Sequence, residues 1–251
     1  MRVLGLQSIR WLLEHGALVI AGGGGGIGRG IALGLAEAGA NVAILDIFPE
    51  RAEEAAARVR EHGAKALALP ADVMDTDALR AAIAATDAEF GRLDILVNNA
   101  GGVSGRPFLQ QSERSWRKHI DINLISMLAA THAAAPLMIR EGKGGSIINV
   151  ASIEASRAAP NFAVYAACKA GMLSFTKSMA LEFSEHKIRV NCIAPDHTIT
   201  PGNQGNRAGP VDPATWKQHT PEESDAMNRL VPLLRQGIDL ECGDAAVFLS
   251  S

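Results

Sequence analysis

The sequence has very little tyrosine: one residue, Tyr165, among 251, with aromatic side chains at 4% in all. Any chemistry that needs a phenol must therefore use that one. Cysteine is almost as scarce. Cys168, Cys192 and Cys242 offer neither metal-ligand spacing nor an even disulfide framework, which suits a reducing cytosol. Net charge is only −3, so no basic field for nucleic acid is implied. The longest apolar stretch, Leu124 to Ile139, is broken by Thr131, His132 and Pro136 and reads as too short for a membrane span. The N-terminus carries Arg2, Arg10 and Glu14 without the apolar core of a signal peptide.

What is present is a regular alternation. Strand-like apolar runs read at Ala17–Ile20, Asn41–Leu45, Ala64–Leu69, Ile95–Asn98, Ser146–Val150 and Arg189–Ile193. Helical patterns lie between them near Gly28–Ala38, Pro49–Glu61, Asp75–Phe90, Ser112–Arg140 and Phe162–Ser184. Such alternation predicts an α/β fold: a doubly wound parallel sheet with right-handed crossovers and helices on both faces. Residues 1–14 read as an N-terminal extension and 15–251 as one domain. Thr200 to Ala214 is rich in Pro, Gly and Asn, and Thr215 to Leu234 reads as weakly helical. The excursion over 197–234 before a final helix is the expected substrate lid.

Two clusters carry chemistry. The first is Ala21-Gly-Gly-Gly-Gly-Gly-Ile27-Gly28, between a strand and a helix. Glycines let the backbone approach a pyrophosphate, and the helix N-terminus offers unpaired amides and a positive dipole end. The next strand ends in Asp46, where a carboxylate accepts hydrogen bonds from ribose hydroxyls and repels a 2′-phosphate. Ile47, Phe48 and Pro49 supply no cation beside it, so the pattern favours NAD(H) over NADP(H). The second cluster is Ser152, Tyr165 and Lys169. A phenol has an ordinary pKa of about 10, and a cation at i+4 on one helix face is expected to lower it.

These residues, with Ala71-Asp72-Val73, Asn98-Asn99-Ala100-Gly101, Asn123 and Pro195 to Thr200, resemble the compact, single-domain short-chain dehydrogenase/reductase family from about His15 onward. The resemblance implies a Rossmann-type fold, a homodimer or homotetramer, and a small-molecule alcohol or ketone as substrate. It makes Tyr165 the general acid or base, with Lys169 lowering its pKa and holding the nicotinamide ribose. Ser152 would bind the substrate oxygen, and Asn123 would interrupt its helix and hold a water. It assigns the cofactor to Gly22, Gly25, Gly26, Ile27, Gly28, Asp46, Ile47, Asp72, Val73, Asn99, Ala100 and Gly101, then to Tyr165, Lys169, Pro195, Thr198 and Thr200. The implied activity is NAD(H)-dependent interconversion of a secondary alcohol and its ketone. The alternatives are a 3-ketoacyl-thioester reductase using NAD(P)H and a catalytically silent dinucleotide-binding protein. Cys168 reads as a packing residue, and His197 as either a substrate-facing or a solvated loop residue.

Three positions depart from the pattern. Ala21 stands where the family has threonine, and Asp196 where glycine usually follows the proline. The sequence closes at Phe248-Leu-Ser-Ser251, where relatives continue into a last edge strand, so that strand is expected to be missing here.

Overall fold

The computed structural model describes residues 16–206 and 208–251. The expected extension at 1–14 lies outside them. Six strands form one parallel sheet in the order β3-β2-β1-β4-β5-β6. They are β1 (Ala17–Ala21), β2 (Asn41–Asp46), β3 (Ala66–Pro70), β4 (Ile95–Asn98), β5 (Gly145–Val150) and β6 (Ile188–Ile193). Among the described residues β6 is bonded only to β5.

Every residue of β1, β4 and β5 is buried, as a sheet covered on both faces demands. Alternate side chains feed two cores. Leu18, Ile20, Val42 and Ile44 pack under α1 (Gly26–Glu37), α2 (Pro49–Glu61) and α8 (Asp239–Ser250). Val19, Ala21, Ala43 and Leu45 pack under α3 (Thr76–Phe90) and the long helix that follows β4. The chain winds from β1 to β2 on one side and reaches β4 on the other. A crevice therefore opens at the carboxyl ends of β1 and β4, the topological switch point.

The helix after β4 runs from Glu113 to Glu141 and is α-helical in two parts, α4 (Glu113–Ile120) and α5 (Ser126–Glu141). A π-helical turn at Asp121–Ile125 joins them, and Asn123 at its centre is fully buried. At 29 residues this helix is apolar and long enough to cross a membrane by length and composition alone, a measure that core helices also meet. Half of its most apolar window is buried inside the fold. α6 (Ala163–Glu182) packs beside it, with Cys168 and Met172 turned inward. The expected helix at Thr215–Leu234 is reduced to α7 (Pro221–Asn228), started by a Thr220–Glu223 capping box.

Candidate active site

The glycine turn is folded back onto β2, where the amides of Gly22 and Gly23 donate to Leu45 O at 2.8 and 2.9 Å. Gly22 has φ +72°, and a methyl group there would meet Ala100 Cα at 2.9 Å. A methyl at Gly28 would lie 2.1 Å from the Gly22 carbonyl, so α1 sits as close to the turn as backbone allows. Asn99 locks the pair by donating from Nδ2 to Gly22 O at 2.7 Å. Gly25 caps α1 without a side chain, and no acidic residue lies in the first turn. The free amides and positive dipole end there suit a phosphate.

Above this turn lies a cleft of about 1130 Å³. Gly22, Gly25, Gly26 and Ile27 line one end, together with Asp46 and Ile47. Asp72, Val73, Asn99, Ala100 and Gly101 form its wall, and Thr198 and Thr200 face it from the other side. Gly28, Pro195, Asn123, Ser152, Tyr165 and Lys169 lie outside that lining. The dimensions and donor set fit a dinucleotide, with the helix N-terminus at its middle.

Asp46 accepts from Gly24 N at 3.1 Å through Oδ2 and from Phe48 N at 3.0 Å through Oδ1. Burial raises its pKa above the ordinary carboxylate value, and these amides with Arg51 oppose the rise. Asp72 accepts from Met74 N at 2.9 Å, and Val73 is buried. Thr200 stands against Gly26, and its amide donates to Asn203 Oδ1 at 2.9 Å. The Asn203 amide also donates to Thr198 O at 2.7 Å, and Thr198 pairs with Gly237 in an isolated bridge. His197 is exposed, in keeping with a solvated loop residue. Pro195 O accepts from Ile153 N at 3.0 Å and so ties the loop after β6 to the loop after β5.

Ser152, two residues beyond β5, is buried and accepts from Glu154 N at 3.2 Å. Its hydroxyl also meets the Tyr165 phenol through a side-chain hydrogen bond. Tyr165 and Lys169 lie on one face of α6, with the Lys169 ammonium 5.8 Å from the centre of the phenol ring. Lys169 is buried and donates to Val150 O at 2.7 Å. A methyl group at Gly101 would sit 3.4 Å from this ammonium and 2.9 Å from Asn123 Oδ1, so Lys169 abuts the floor of the cleft. Asn123 is no surface residue. Its amide donates to Gly102 O at 2.9 Å and His119 O at 3.0 Å, and accepts from Gly102 N at 3.1 Å. π-turns recur at functional sites, where they displace a side chain from helical register.

One expectation is corrected. The pKa of Tyr165 is raised, not lowered. Burial is the largest cause, the Glu154 carboxylate adds to it, and the Ser152 side chain pulls it back. The Lys169 cation is held at the Val150 carbonyl instead of at the phenol oxygen, and burial lowers its own pKa to about 8.

Sequence reasoning missed several residues at the site. Arg51 lines the cleft beside Asp46, lies 5.1 Å over the Phe48 ring and donates to Asn206 O at 2.9 Å. His119 is buried, accepts from Ser104 N at 3.3 Å and braces the loop after Gly101. Asn98 and Asn149 join across β4 and β5 at 2.8 Å, and Asn149 continues to Thr176 on α6. Asn98, already named in the sequence among the family marks, is thus a buried structural tie. Cys168 is buried with its thiol toward His119 O, a packing residue as read.

A family model described as short chain dehydrogenase matches residues 17–210. The chain is 35% identical over 239 residues to 2-dehydro-3-deoxy-D-gluconate 5-dehydrogenase of Escherichia coli, covering 95% of this chain and 89% of that protein. Among solved structures it resembles a 7 alpha-hydroxysteroid dehydrogenase complexed with NADH and 7-oxo glycochenodeoxycholic acid. That match has a TM-score of 0.86 and 30% identity, covering 99% of this chain and 91% of the other. A carveol dehydrogenase from Mycobacterium avium in complex with NAD matches with a TM-score of 0.85 and 28% identity, covering 95% and 92%.

Proposed function

The chain belongs to the short-chain dehydrogenase/reductase family, and we propose that this oxidoreductase interconverts a secondary alcohol and its ketone using NAD(H), with Tyr165 as general acid/base. One observation carries the reading. Lys169, on the same helix face as Tyr165, presses its buried ammonium against Gly101 at the cleft floor, while Ser152 contacts the phenol.

The nicotinamide, when bound, supplies or accepts the hydride. The protein does the rest. Ser152, its hydroxyl oxygen already accepting from Glu154 N, donates its proton to the substrate oxygen. Tyr165, whose protonated form burial favours, gives its proton to that oxygen in ketone reduction, and its phenolate form takes the proton from the alcohol in oxidation. Lys169 has one donor fixed on Val150 and the others free to hold a ribose hydroxyl. Asn123 fixes Gly102 and with it the floor over which the cofactor lies.

NAD(H) is preferred because Asp46 presents a carboxylate where a ribose would lie, and a 2′-phosphate would meet it charge to charge. Arg51 is the nearest counter-charge, and it is engaged with the loop carbonyls at Asn206 and Gly209.

Assembly follows from the apolar face of α4 and α6. Phe108, Ile120, Leu124 and Val164 line a groove of about 380 Å³, and Leu109, next to Phe108 in the chain, is 95% exposed. A second copy related by a two-fold axis would cover this face. Three free cysteines, two of them buried, are in keeping with a cytoplasmic location.

The test is a panel of secondary alcohols and ketones with each nicotinamide cofactor, read by absorbance of the reduced ring. NAD(H)-dependent turnover that Tyr165→Phe abolishes supports the reading. Turnover that survives in Tyr165→Phe contradicts it.

A further inference from the structure

Resting on that reading, we propose that Glu154 and Asp196, held in place by Arg157, select substrates that carry a second hydroxyl close to the reacting carbon. Arg157 Nη2 donates to Glu154 Oε1 at 2.7 Å and to Asp196 Oδ1 at 3.2 Å. Glu154 Oε2 and Asp196 Oδ2 take no part in these bonds.

Asp196 reaches the cofactor cleft, and Glu154 stands beside Ser152 and Tyr165. Glu154 is the residue whose amide Ser152 caps, and its carboxylate is near enough to Tyr165 to raise the phenol pKa. Asp196 lines the large cleft with Gly101, Gly102 and Thr198. The Ile153–Pro195 hydrogen bond at 3.0 Å holds the two loops together, so both carboxylates keep a fixed separation from Ser152.

Ionised carboxylates only accept hydrogen bonds, so what they recognise must donate. A vicinal hydroxyl meets that requirement, whereas a purely hydrocarbon flank leaves the acceptors to water. A fully buried site of this kind rejects an analogue lacking the hydroxyl by about 10⁴-fold or more. Here the side chains of Glu154 and Asp196 keep 21% and 25% of their exposure, so water softens the discrimination to about tenfold. Oxidation then proceeds at one carbinol carbon. Its C–H electron pair passes as hydride to the nicotinamide, its O–H proton passes to Tyr165 and a C=O bond forms. The second hydroxyl is unchanged, and the product is a hydroxyketone.

The test compares cyclohexane-1,2-diol with cyclohexanol in the full-length protein, by kcat/KM and by titration calorimetry of each against the NADH-loaded enzyme. The expected result is at least a tenfold preference for the diol in kcat/KM and in affinity. Glu154→Gln, Asp196→Asn and Arg157→Met should each pull that ratio toward one, chiefly through KM, with Arg157→Lys in between. Equal handling of the two alcohols, or a ratio that none of the variants moves, overturns the inference and leaves the dehydrogenase reading intact. Diol oxidation that persists in Tyr165→Phe overturns that reading and leaves the diol preference standing.

Discussion

The ammonium of Lys169 donates a hydrogen bond of 2.7 Å to the carbonyl of Val150, the last residue of β5 and two residues before Ser152. A cation on α6 is thereby anchored to the strand that delivers the site's serine. The same ammonium stands 3.4 Å from where a Gly101 methyl would be, so helix, strand and cleft floor meet at one charged atom.

Gly101→Ala should fold, because the change adds one methyl at a loop position. It should lose at least about tenfold in kcat/KM, as the methyl pushes on Asn123 Oδ1 and the Lys169 ammonium. Steady-state kinetics beside a thermal melt check this. Unaltered kcat/KM would mean that the floor is not part of the site.

Cofactor preference should follow Asp46. NAD(H) is expected to bind about tenfold more tightly than NADP(H), which corresponds to ~1.4 kcal/mol. Asp46→Ala should shrink that gap, since the half-buried carboxylate both loses its ribose bonds and stops repelling the phosphate. Titration calorimetry with both cofactors reads it, and tighter binding of NADP(H) by the wild type would contradict the assignment.

The lone tyrosine makes the proton chemistry readable. In the ligand-free protein the tyrosinate signal should appear only above pH 10, because burial raises the Tyr165 pKa. Ketone reduction, which needs the phenol, should change little through neutral pH, while alcohol oxidation, which needs phenolate, should rise with pH. A tyrosinate transition below the ordinary value in the ligand-free protein would contradict the burial account.

Lys169 adds a stability term of definite sign. Its folded pKa is depressed to about 8 from an ordinary 10.5, so between those values the unfolded chain binds the extra proton. Stability of the wild type relative to Lys169→Met should therefore rise with pH across that window and be flat below it. Denaturant titrations at several pH values test this, and a difference that falls across the window would contradict the burial of a titrating ammonium.

Light scattering should find a dimer or larger assembly at micromolar concentration. Ile120→Glu, which puts a charge into the groove beside Leu124 and Val164, should shift it toward monomer. A wild-type monomer would leave the apolar face unexplained.

Much of this was legible in the chain because its signals are local. Helix α2 begins at Pro49 and ends at Glu61 as read, since proline at the first helical position marks a start. The glycine turn announced its own geometry, because Gly22 and Gly28 stand where a side chain would strike backbone. The helix expected over Thr215–Leu234 failed for want of periodicity, and only the stretch behind the Thr220 cap folded as one. Arg51 was invisible because its loop partner Asn206 lies 155 residues away. The direction of the Tyr165 shift was misread for a related reason. The i+4 spacing gives Lys169 as a neighbour, but burial and the Val150 carbonyl decide where its charge goes.

The most direct test of the account is Tyr165→Phe, assayed for hydride transfer and for NADH affinity in the same preparation. Removal of one hydroxyl from a half-buried ring should leave NADH binding nearly unaltered. Turnover should fall by about 10²-fold or more, the usual contribution of general acid–base catalysis. Turnover within a few-fold of the wild type, with NADH affinity equally unaltered, would show that proton transfer does not pass through Tyr165.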